Sequence, residues 1–304
     1  MAQYRNIFLF AAMALLILLT GFLQSWNSAL LILNMGLISA IMSLGVNLQW
    51  GFAGLFNVGV MGFVALGGLA TVLISMPPVT EAWSAGGLRT MLGLVIGVAS
   101  LWLTSLAIVR LPSGKAKILG IIAGLIVGFF AFRFVFDGGV SAIEAVNPAS
   151  TGYLGGLGLP ILLAWPAGGL LAAGVAWIIG KTALGLRSDY LAIATLGIAE
   201  IILAIMKNED WLARGVKNVI GLPRPVPFEV DLQNNPDFVA TATDLGMNAV
   251  TASSIYVKLC YAGLFTVVLL LLLWMAQNAL RSPWGRMMRA IRDNETSAEA
   301  MGKD

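Results

Sequence analysis

The sequence predicts an all-α fold: a polytopic transmembrane helical bundle of about eight spans, with broken, glycine-rich helices. Hydrophobic residues make up 59% of the 304 residues and charged residues only 11%, whereas an ordinary soluble domain has roughly 25% charged residues. No charged residue occurs between Arg5 and Glu81, and this interval is long enough for about three spans of ~20 residues each. These observations exclude a soluble globular protein.

Eight apolar runs, bounded by charges or by Pro and Gly clusters, are the candidate spans. They cover approximately residues 7–23, 28–48, 52–76, 90–109, 118–136, 157–180, 190–206 and 255–280. The third run begins in a glycine-rich segment and the seventh is short, so both are candidates for broken or tilted helices.

The charges between the runs predict the orientation. If both termini are cytoplasmic, the inside segments carry eleven Lys or Arg and five Asp or Glu, and the outside segments carry five and nine. The positive-inside rule therefore favours N-in and C-in. The net charge of +3 reflects this orientation and gives no support for nucleic-acid binding. Without histidine and with one cysteine, the chain has no ligand set for a soft metal.

The longest hydrophilic stretch, residues 207–254, lies outside in this orientation. A loop of this length predicts a small extracytoplasmic helix or docking surface, and a plain solvated loop is the alternative. No nucleotide-binding fingerprint occurs in the sequence. ATP-driven activity would therefore need an ATPase on another chain.

A glycine-rich segment at residues 51–68 is the first candidate site. It holds six glycines, with the amide side chains of Asn47, Gln49 and Asn57 nearby. Glycine is tolerated in membrane helices where helices pack closely or where unwound backbone lines a cavity. The residues predicted to line a solute pathway here are Asn47, Gly51, Gly54, Asn57 and Gly59, and close helix packing is the alternative.

Glu200 is a carboxylate predicted to lie within the seventh span. At ~1.5 Å per residue it lies ~16 Å beyond the start of that span. An intramembrane carboxylate is costly, so we expect it to face the bundle interior or water and to have a partner. Thr195 and Glu200 join the predicted pathway, and a structural carboxylate bonded to a neighbouring helix is the alternative.

Glycines spaced four apart predict tight pairing of the fourth and fifth spans. They are Gly93 and Gly97 in one span, and Gly120, Gly124 and Gly128 in the other. Arg133, near the predicted end of the fifth span, is expected to reach the membrane interface with its side chain.

The chain closes on a basic, amphipathic stretch. Four arginines follow the last span (Arg281, Arg286, Arg289, Arg292), and Ala298, Ala300 and Met301 lie beside Glu299 and before Gly302. Basic residues at the end of a span favour the cytoplasmic side. The stretch is thus a candidate for docking a cytoplasmic partner.

Four segments together resemble branched-chain amino acid ABC transporter permeases, most specifically the LivM type of subunit. Residues 47–59 are similar to the family element N-L-x-x-G-x-x-G-x-x-(S/N)-x-G, and residues 186–201 to L-R-G-D-Y-x-A-I-x-T-L-x-x-x-E-I. Residues 221–225 resemble a G-I-P-R-P loop, and residues 285–302 resemble G-R-A-x-R-A-I-R-x-(D/N)-E-x-x-A-E-A-x-G.

The resemblance implies a multi-pass permease of the bacterial inner membrane, with no chemistry on the solute and no cofactor bound directly. It implies a second, LivH-type permease, a periplasmic solute-binding protein and two cytoplasmic ATPases that use ATP, besides membrane lipid. The residues it assigns to ATPase coupling are Arg289, Arg292, Glu295, Glu299, Ala300, Met301 and Gly302. It also implies a single permease domain over 1–304 with a cytoplasmic coupling region at 281–304.

Two departures and three alternatives accompany this interpretation. The helix pair at 90–136, with the loop that follows to about residue 156, resembles an insertion, and the family's T-G-G-x-x-G loop is replaced by Ala213–Asn218. In the family, further spans follow the coupling motif, so we expect the chain to be a partial permease. The alternatives are a urea or short-amide ABC permease, a secondary transporter that uses Glu200 as an ion site, and a scaffold without transport.

Overall fold

The computed structural model describes residues 2–110, 114–183, 185–186 and 188–302. In this part of the chain, Pro78 and Gly155 form an isolated antiparallel bridge, and the regular elements are helices. The α-helices are α1 (Ala2–Leu23), α2 (Trp26–Val46), α3 (Val60–Ser75), α4 (Thr80–Ala82), α5 (Leu88–Arg110), α6 (Lys115–Ala145), α7 (Ile161–Ala183), α8 (Ser188–Asn208), α9 (Asp210–Ala213), α10 (Glu229–Gln233), α11 (Pro236–Asp244), α12 (Ala249–Arg281), α13 (Pro283–Asp293) and α14 (Glu295–Ala300). Two π-helical turns, Asn47–Phe52 and Trp83–Gly87, extend α2 and precede α5.

The all-α prediction is confirmed, and the spans follow the apolar runs with one exception. Seven helices in the described residues are long and apolar enough to cross a membrane. The predicted third span is instead a helix of 16 residues, Val60–Ser75. At ~1.5 Å per residue it is ~24 Å long, which is shorter than the ~30 Å hydrocarbon core. Most of the helix predicted over 52–59 is missing, because the π-helical turn ends at Phe52 and residues 54–58 form no regular structure.

The fifth predicted span extends further than its apolar run. Helix α6 continues to Ala145 rather than ending near residue 136. Arg133 pairs with Asp137 one turn later, with Nε 2.9 Å from Oδ2. An oppositely charged pair at this spacing supports a helix, so the charges that mark the end of the apolar run lie inside α6.

The chain divides into two compact units. The first comprises Met1–Val60, Gly185–Thr195 and Arg224–Asp304, and the second comprises Met61–Leu184 and Leu196–Pro223. In the first unit, α2 packs against both α1 and α12. The short helices α10 and α11 pack on α12, where Gln233 Nε2 donates to the buried Ser253 hydroxyl at 2.9 Å.

The α5–α6 hairpin is the largest packing interaction of the second unit. The glycine-pair prediction is confirmed for Gly93, Gly97, Gly124 and Gly128, each of which faces the other helix. A Cβ atom on Gly93 would lie 2.8 Å from the Phe136 Cα atom, and one on Gly128 would lie 2.6 Å from Ser100 Cβ. The backbones therefore approach more closely than side chains at these positions would permit.

The end of this hairpin packs on the loop after α8. Ala82, Phe136, Ile143, Leu154 and Trp211 form a buried apolar cluster. The Phe136 and Trp211 rings meet edge to face, with centroids 5.6 Å apart, and the Leu154 amide donates to the Trp211 carbonyl at 3.0 Å. The residues predicted to be an insertion therefore form much of the core of the second unit.

Arg214 fixes the same loop from within. Its backbone is left-handed, with φ of 61°, and the residue is 5% exposed. The guanidinium donates to the carbonyls of Asn218, at 2.7 Å, and Ala149. The pKa of the nearby Tyr153 phenol lies above its ordinary value of 10, because burial raises it by more than the Arg214 charge lowers it. Arg214 belongs to the residues that replace the family's T-G-G-x-x-G loop. It therefore gives this part of the chain a structural contact to the segment at residues 147–154.

Candidate functional site

All candidate pathway residues of the first unit except Thr195 lie on one interrupted stretch of backbone, residues 47–59, called here the broken segment. Its first half is the π-helical turn Asn47–Phe52. Three backbone hydrogen bonds of 3.0–3.3 Å close the end of the turn. The amide of residue 53 donates to the Leu48 carbonyl, that of residue 54 to Trp50, and that of residue 55 to Gln49. Residues 54–58 then form no regular structure before α3 begins at Val60. Unwound backbone at membrane depth is expected where it faces protein or a cavity.

Two glycines of the broken segment have specific steric roles. Gly54 has φ of +73°, a left-handed conformation that glycine adopts without strain. A Cβ atom on Gly51 would collide with the side-chain oxygen of Asn47. Asn47 itself is exposed and ends α2, and its backbone amide donates to the carbonyls of Ser43 and Leu44. Asn47, Gly51 and Gly54 therefore shape one turn of the chain, and their contact with a solute stays a prediction.

The amide of Asn57 is bonded within the broken segment rather than left free for a solute. Its Nδ2 donates to Gln49 Oε1 at 2.9 Å, and its Oδ1 accepts from the Gly59 amide at 2.8 Å. Gln49, which was not among the predicted pathway residues, thus holds the segment together. Only the amide-rich composition of the stretch pointed to it.

Thr195 joins the broken segment to the first half of α8. The residue is 6% exposed. Its Oγ1 accepts from the Val58 amide at 3.2 Å and donates to the Ala192 carbonyl at 3.0 Å. The structure therefore brings Thr195 to the predicted glycine and asparagine cluster.

Glu200 belongs to the second unit, and its place in a solute pathway stays a prediction. Its side chain is exposed, and no hydrogen bond or ion pair reaches its carboxylate from the described residues. The buried residues of α8 are Leu191, Thr195 and Ala199, at four-residue intervals. Because successive residues are ~100° apart around an α-helix, Glu200 points away from that buried stripe.

The second candidate area is the C-terminal region, residues 281–302. Helix α13 is strongly amphipathic, and Asn294 separates it from α14 and accepts from the Ser297 amide at 3.0 Å. The two helices enclose a groove of about 580 Å³. Its lining residues are Pro283, Arg286, Met287, Ala290, Asp293, Asn294, Ser297, Ala298 and Met301.

The groove has an apolar floor and an exposed apolar rim. Ala298 is 6% exposed, whereas Met301 is 82% exposed. Gly302 follows with φ of +74°, the left-handed conformation common just after a helix end. Ala300 and Met301 are thus exposed while Ala298 is buried, and the side chains of Glu295 and Glu299 lie outside the described part of the structure.

Two arginines that the resemblance assigns to ATPase coupling donate hydrogen bonds to backbone carbonyls of this chain. Arg289 donates from Nε to the Gly285 carbonyl at 3.2 Å and from Nη2 to the Leu280 carbonyl at 3.3 Å. Arg292 donates from Nη1 to the Gly51 carbonyl at 2.8 Å. The sequence pattern gave no signal for either contact.

Comparison with known proteins identifies the family. A family model described as a branched-chain amino acid transport system permease component matches residues 119–304, which is more than half of the chain. The chain belongs to this permease family. The match covers Thr195, Glu200 and the C-terminal region, and it begins inside α6, within the helix pair predicted to be an insertion.

Two curated relatives are permease proteins of such transport systems. The high-affinity branched-chain amino acid transport system permease protein LivM of Escherichia coli K12 is 31% identical over 193 residues. LivM of Salmonella typhimurium LT2 is 30% identical over 187 residues. Each alignment covers 61% of this chain and 43% of the relative, so the chain spans less than half the length of these permeases. No solved structure matches the chain.

Proposed function

We propose that this permease-family chain is a transport subunit of an ATP-driven importer of branched-chain amino acids. A second permease of the LivH type would complete the translocation pathway. Two cytoplasmic ATPases would supply the energy, and a periplasmic binding protein would deliver the solute at the bacterial inner membrane. Family membership and the names of the two relatives support this proposal.

The C-terminal groove is the observation that carries the proposal. After the longest apolar helix of the described residues, an amphipathic helix and a short second helix present an apolar floor and a largely exposed methionine. A groove with an apolar centre and charged margins suits a protein partner, because the buried centre of an interface is apolar and its rim polar. Four arginines in this region favour the cytoplasmic side. An ATPase is therefore the occupant that we propose.

The broken segment and Thr195 are the proposed lining of the pathway in this subunit. Unwound backbone next to Asn47 offers hydrogen-bonding groups that lipid could not satisfy. The exposed Glu200 carboxylate needs a polar or protein environment in the membrane. We propose that the second permease covers the face of α8 that carries it.

Two variants test the docking of the ATPase. Met301→Asp places a charge at the rim of the groove, where Met301 is 82% exposed. Val216→Asp places the same charge in the loop after α8, where Val216 is 74% exposed. We expect Met301→Asp to abolish co-purification of the neighbouring ATPase and ATP-dependent leucine uptake. Val216→Asp should keep the ATPase bound. Equal ATPase retention by both variants would contradict the assignment.

Uptake measured after reconstitution into proteoliposomes distinguishes the alternative functions. Uptake into proteoliposomes driven by a proton or sodium gradient without ATP would indicate a secondary transporter with Glu200 as its ion site. Uptake of urea or short amides in place of leucine would keep the ATP-driven mechanism and change the substrate.

A further inference from the structure

One arginine connects the C-terminal region to the broken segment. Arg292 lies near the end of α13, and its Nη1 donates to the Gly51 carbonyl, 241 residues away in the chain. Its Nε and Nη2 donate to Asp293 Oδ1 at 2.9 and 2.7 Å. Asp293 therefore fixes one edge of the guanidinium while another edge reaches the broken segment.

The Gly51 carbonyl is a favourable acceptor for a cation. The three carbonyls before it, of Leu48, Gln49 and Trp50, accept from the backbone amides that close the π-helical turn. Gly51 follows them, where a helix end exposes carbonyls and carries partial negative charge. A planar guanidinium can satisfy such a carbonyl and keep other donors for a neighbouring carboxylate. Arg292 thus caps the end of the turn.

The aliphatic part of Arg292 makes a second contact with the same segment. A Cβ atom on Gly54 would lie 2.6 Å from Arg292 Cγ. Gly54 is also the residue with φ of +73°, where the chain turns out of the helix. The arginine therefore lies against the turn itself, and a side chain at Gly54 would displace it.

The hydrogen bonds continue from this contact to α8. Gln49 and Asn57 bond to one another across the turn, and the Val58 amide bonds to Thr195. A displacement of α13 relative to the end of α2 would pull on the Gly51 carbonyl first. The bonded segment would carry that displacement to Thr195.

We propose that Arg292 is a positioning residue that transmits movement of the C-terminal region to the broken segment, and that it does not contact the ATPase. This inference rests on the proposed function for its transport consequence. The contact itself belongs to this chain and can be tested without any partner.

The first test uses the purified full chain and amide hydrogen exchange. Arg292→Gln should speed exchange of the amides at residues 53–59 by about tenfold, which corresponds to losing about 1.4 kcal/mol. Arg289→Gln is the matched control, because its bonds stay within residues 280–289. Unchanged exchange at 53–59 in Arg292→Gln would overturn the proposal.

The second test uses the complete assembly in proteoliposomes, with leucine uptake and ATP hydrolysis measured together. Arg292→Gln should retain the bound ATPase and lower leucine uptake per ATP by about tenfold. Arg292→Lys, which keeps a donor but not the planar guanidinium, should restore part of the ratio. A loss of ATPase binding, or an equal fall in uptake and hydrolysis, would contradict a transmitting role.

Gly54→Ala disturbs the contact from the other side, with Gly246→Ala, which has the same left-handed backbone (φ of +70°) and open space around it, as its control. Gly54→Ala should lower the leucine uptake per ATP. Combining it with Arg292→Gln should lower this ratio little further, since both variants break the same contact between Arg292 and the broken segment. Additive losses would overturn the proposal. If the wild-type assembly shows no ATP-dependent uptake, the proposed function fails while the exchange test still decides whether the contact exists.

Discussion

Lys258 in α12 is bonded to Asn27 at the start of α2. Its Nζ donates to the Asn27 backbone carbonyl at 3.2 Å and also to the Asn27 side-chain oxygen. Two turns further along α2, Asn34 Nδ2 donates to the Lys258 carbonyl at 3.0 Å. Polar contacts between membrane helices fix which faces meet, because the surrounding lipid offers no alternative partner. The two residues thus define the register of α2 against α12.

We expect Lys258→Met to destabilise the first unit by about 1 kcal/mol, the usual size of a polar contact between membrane helices. Methionine keeps the apolar length of lysine and removes only the donor. The measurement is thermal unfolding in detergent, with Lys207→Met as the control at the end of α8. Equal stability of the two variants would show that the ammonium contributes nothing to helix pairing.

Gly93→Ala should destabilise the α5–α6 hairpin by about 1–3 kcal/mol, the range for an overpacked interior. The added methyl group meets backbone atoms of Phe136 at 2.8 Å, and backbone cannot rotate aside. Gly263→Ala in α12 is the matched control, since no heavy atom lies within 4 Å of its Cβ position. That variant should be neutral or more stable by up to about 1 kcal/mol because alanine favours helix.

The ends of α5 and the glycine pairs could be predicted because they depend on local composition, whereas the end of α6 could not. The α5 helix, for example, begins and ends within two residues of its apolar run. The direction of Glu200 could not be predicted, because α8 has apolar residues on every side, among them Leu191, Ile193 and Ile201. Only packing decides which side is buried.

The arginine contacts were unpredictable for a different reason. Arg214 and Arg292 have long side chains that reach carbonyls 65 and 241 residues away. A basic residue at a membrane boundary is typical of the cytoplasmic or interfacial surface. Composition therefore indicates where such a residue lies but gives no information about the backbone that it contacts.

Glu200→Cys tests whether the second permease covers the exposed face of α8. In a Cys260→Ala background, N-ethylmaleimide should label the new thiol readily in the chain alone and slowly in the assembled transporter. Leu170→Cys in α7, 75% exposed, is the control on another helix. Equal labelling of Glu200→Cys before and after assembly would place this carboxylate at lipid or open water.

Arg214 offers the sharpest stability test, because its backbone and its side chain act in opposite directions. A left-handed backbone costs an ordinary residue roughly 1–2 kcal/mol, whereas hydrogen bonds from a charged donor contribute about 1.5–3 kcal/mol each. Arg214→Ala keeps the backbone cost and loses the bonds to Ala149 and Asn218. We therefore expect it to lower the free energy of unfolding by about 2 kcal/mol or more.

Arg214→Gly loses the same bonds but removes the backbone cost, so it should be more stable than Arg214→Ala by about 1 kcal/mol and still less stable than wild type. Urea unfolding in detergent gives the order, and proteolysis within residues 147–154 reports the loop that Arg214 holds. If the free energy of unfolding of Arg214→Gly matched or exceeded that of the wild type, the guanidinium contacts would contribute no net stability. If glycine and alanine were equal, the left-handed backbone at this position would carry no cost.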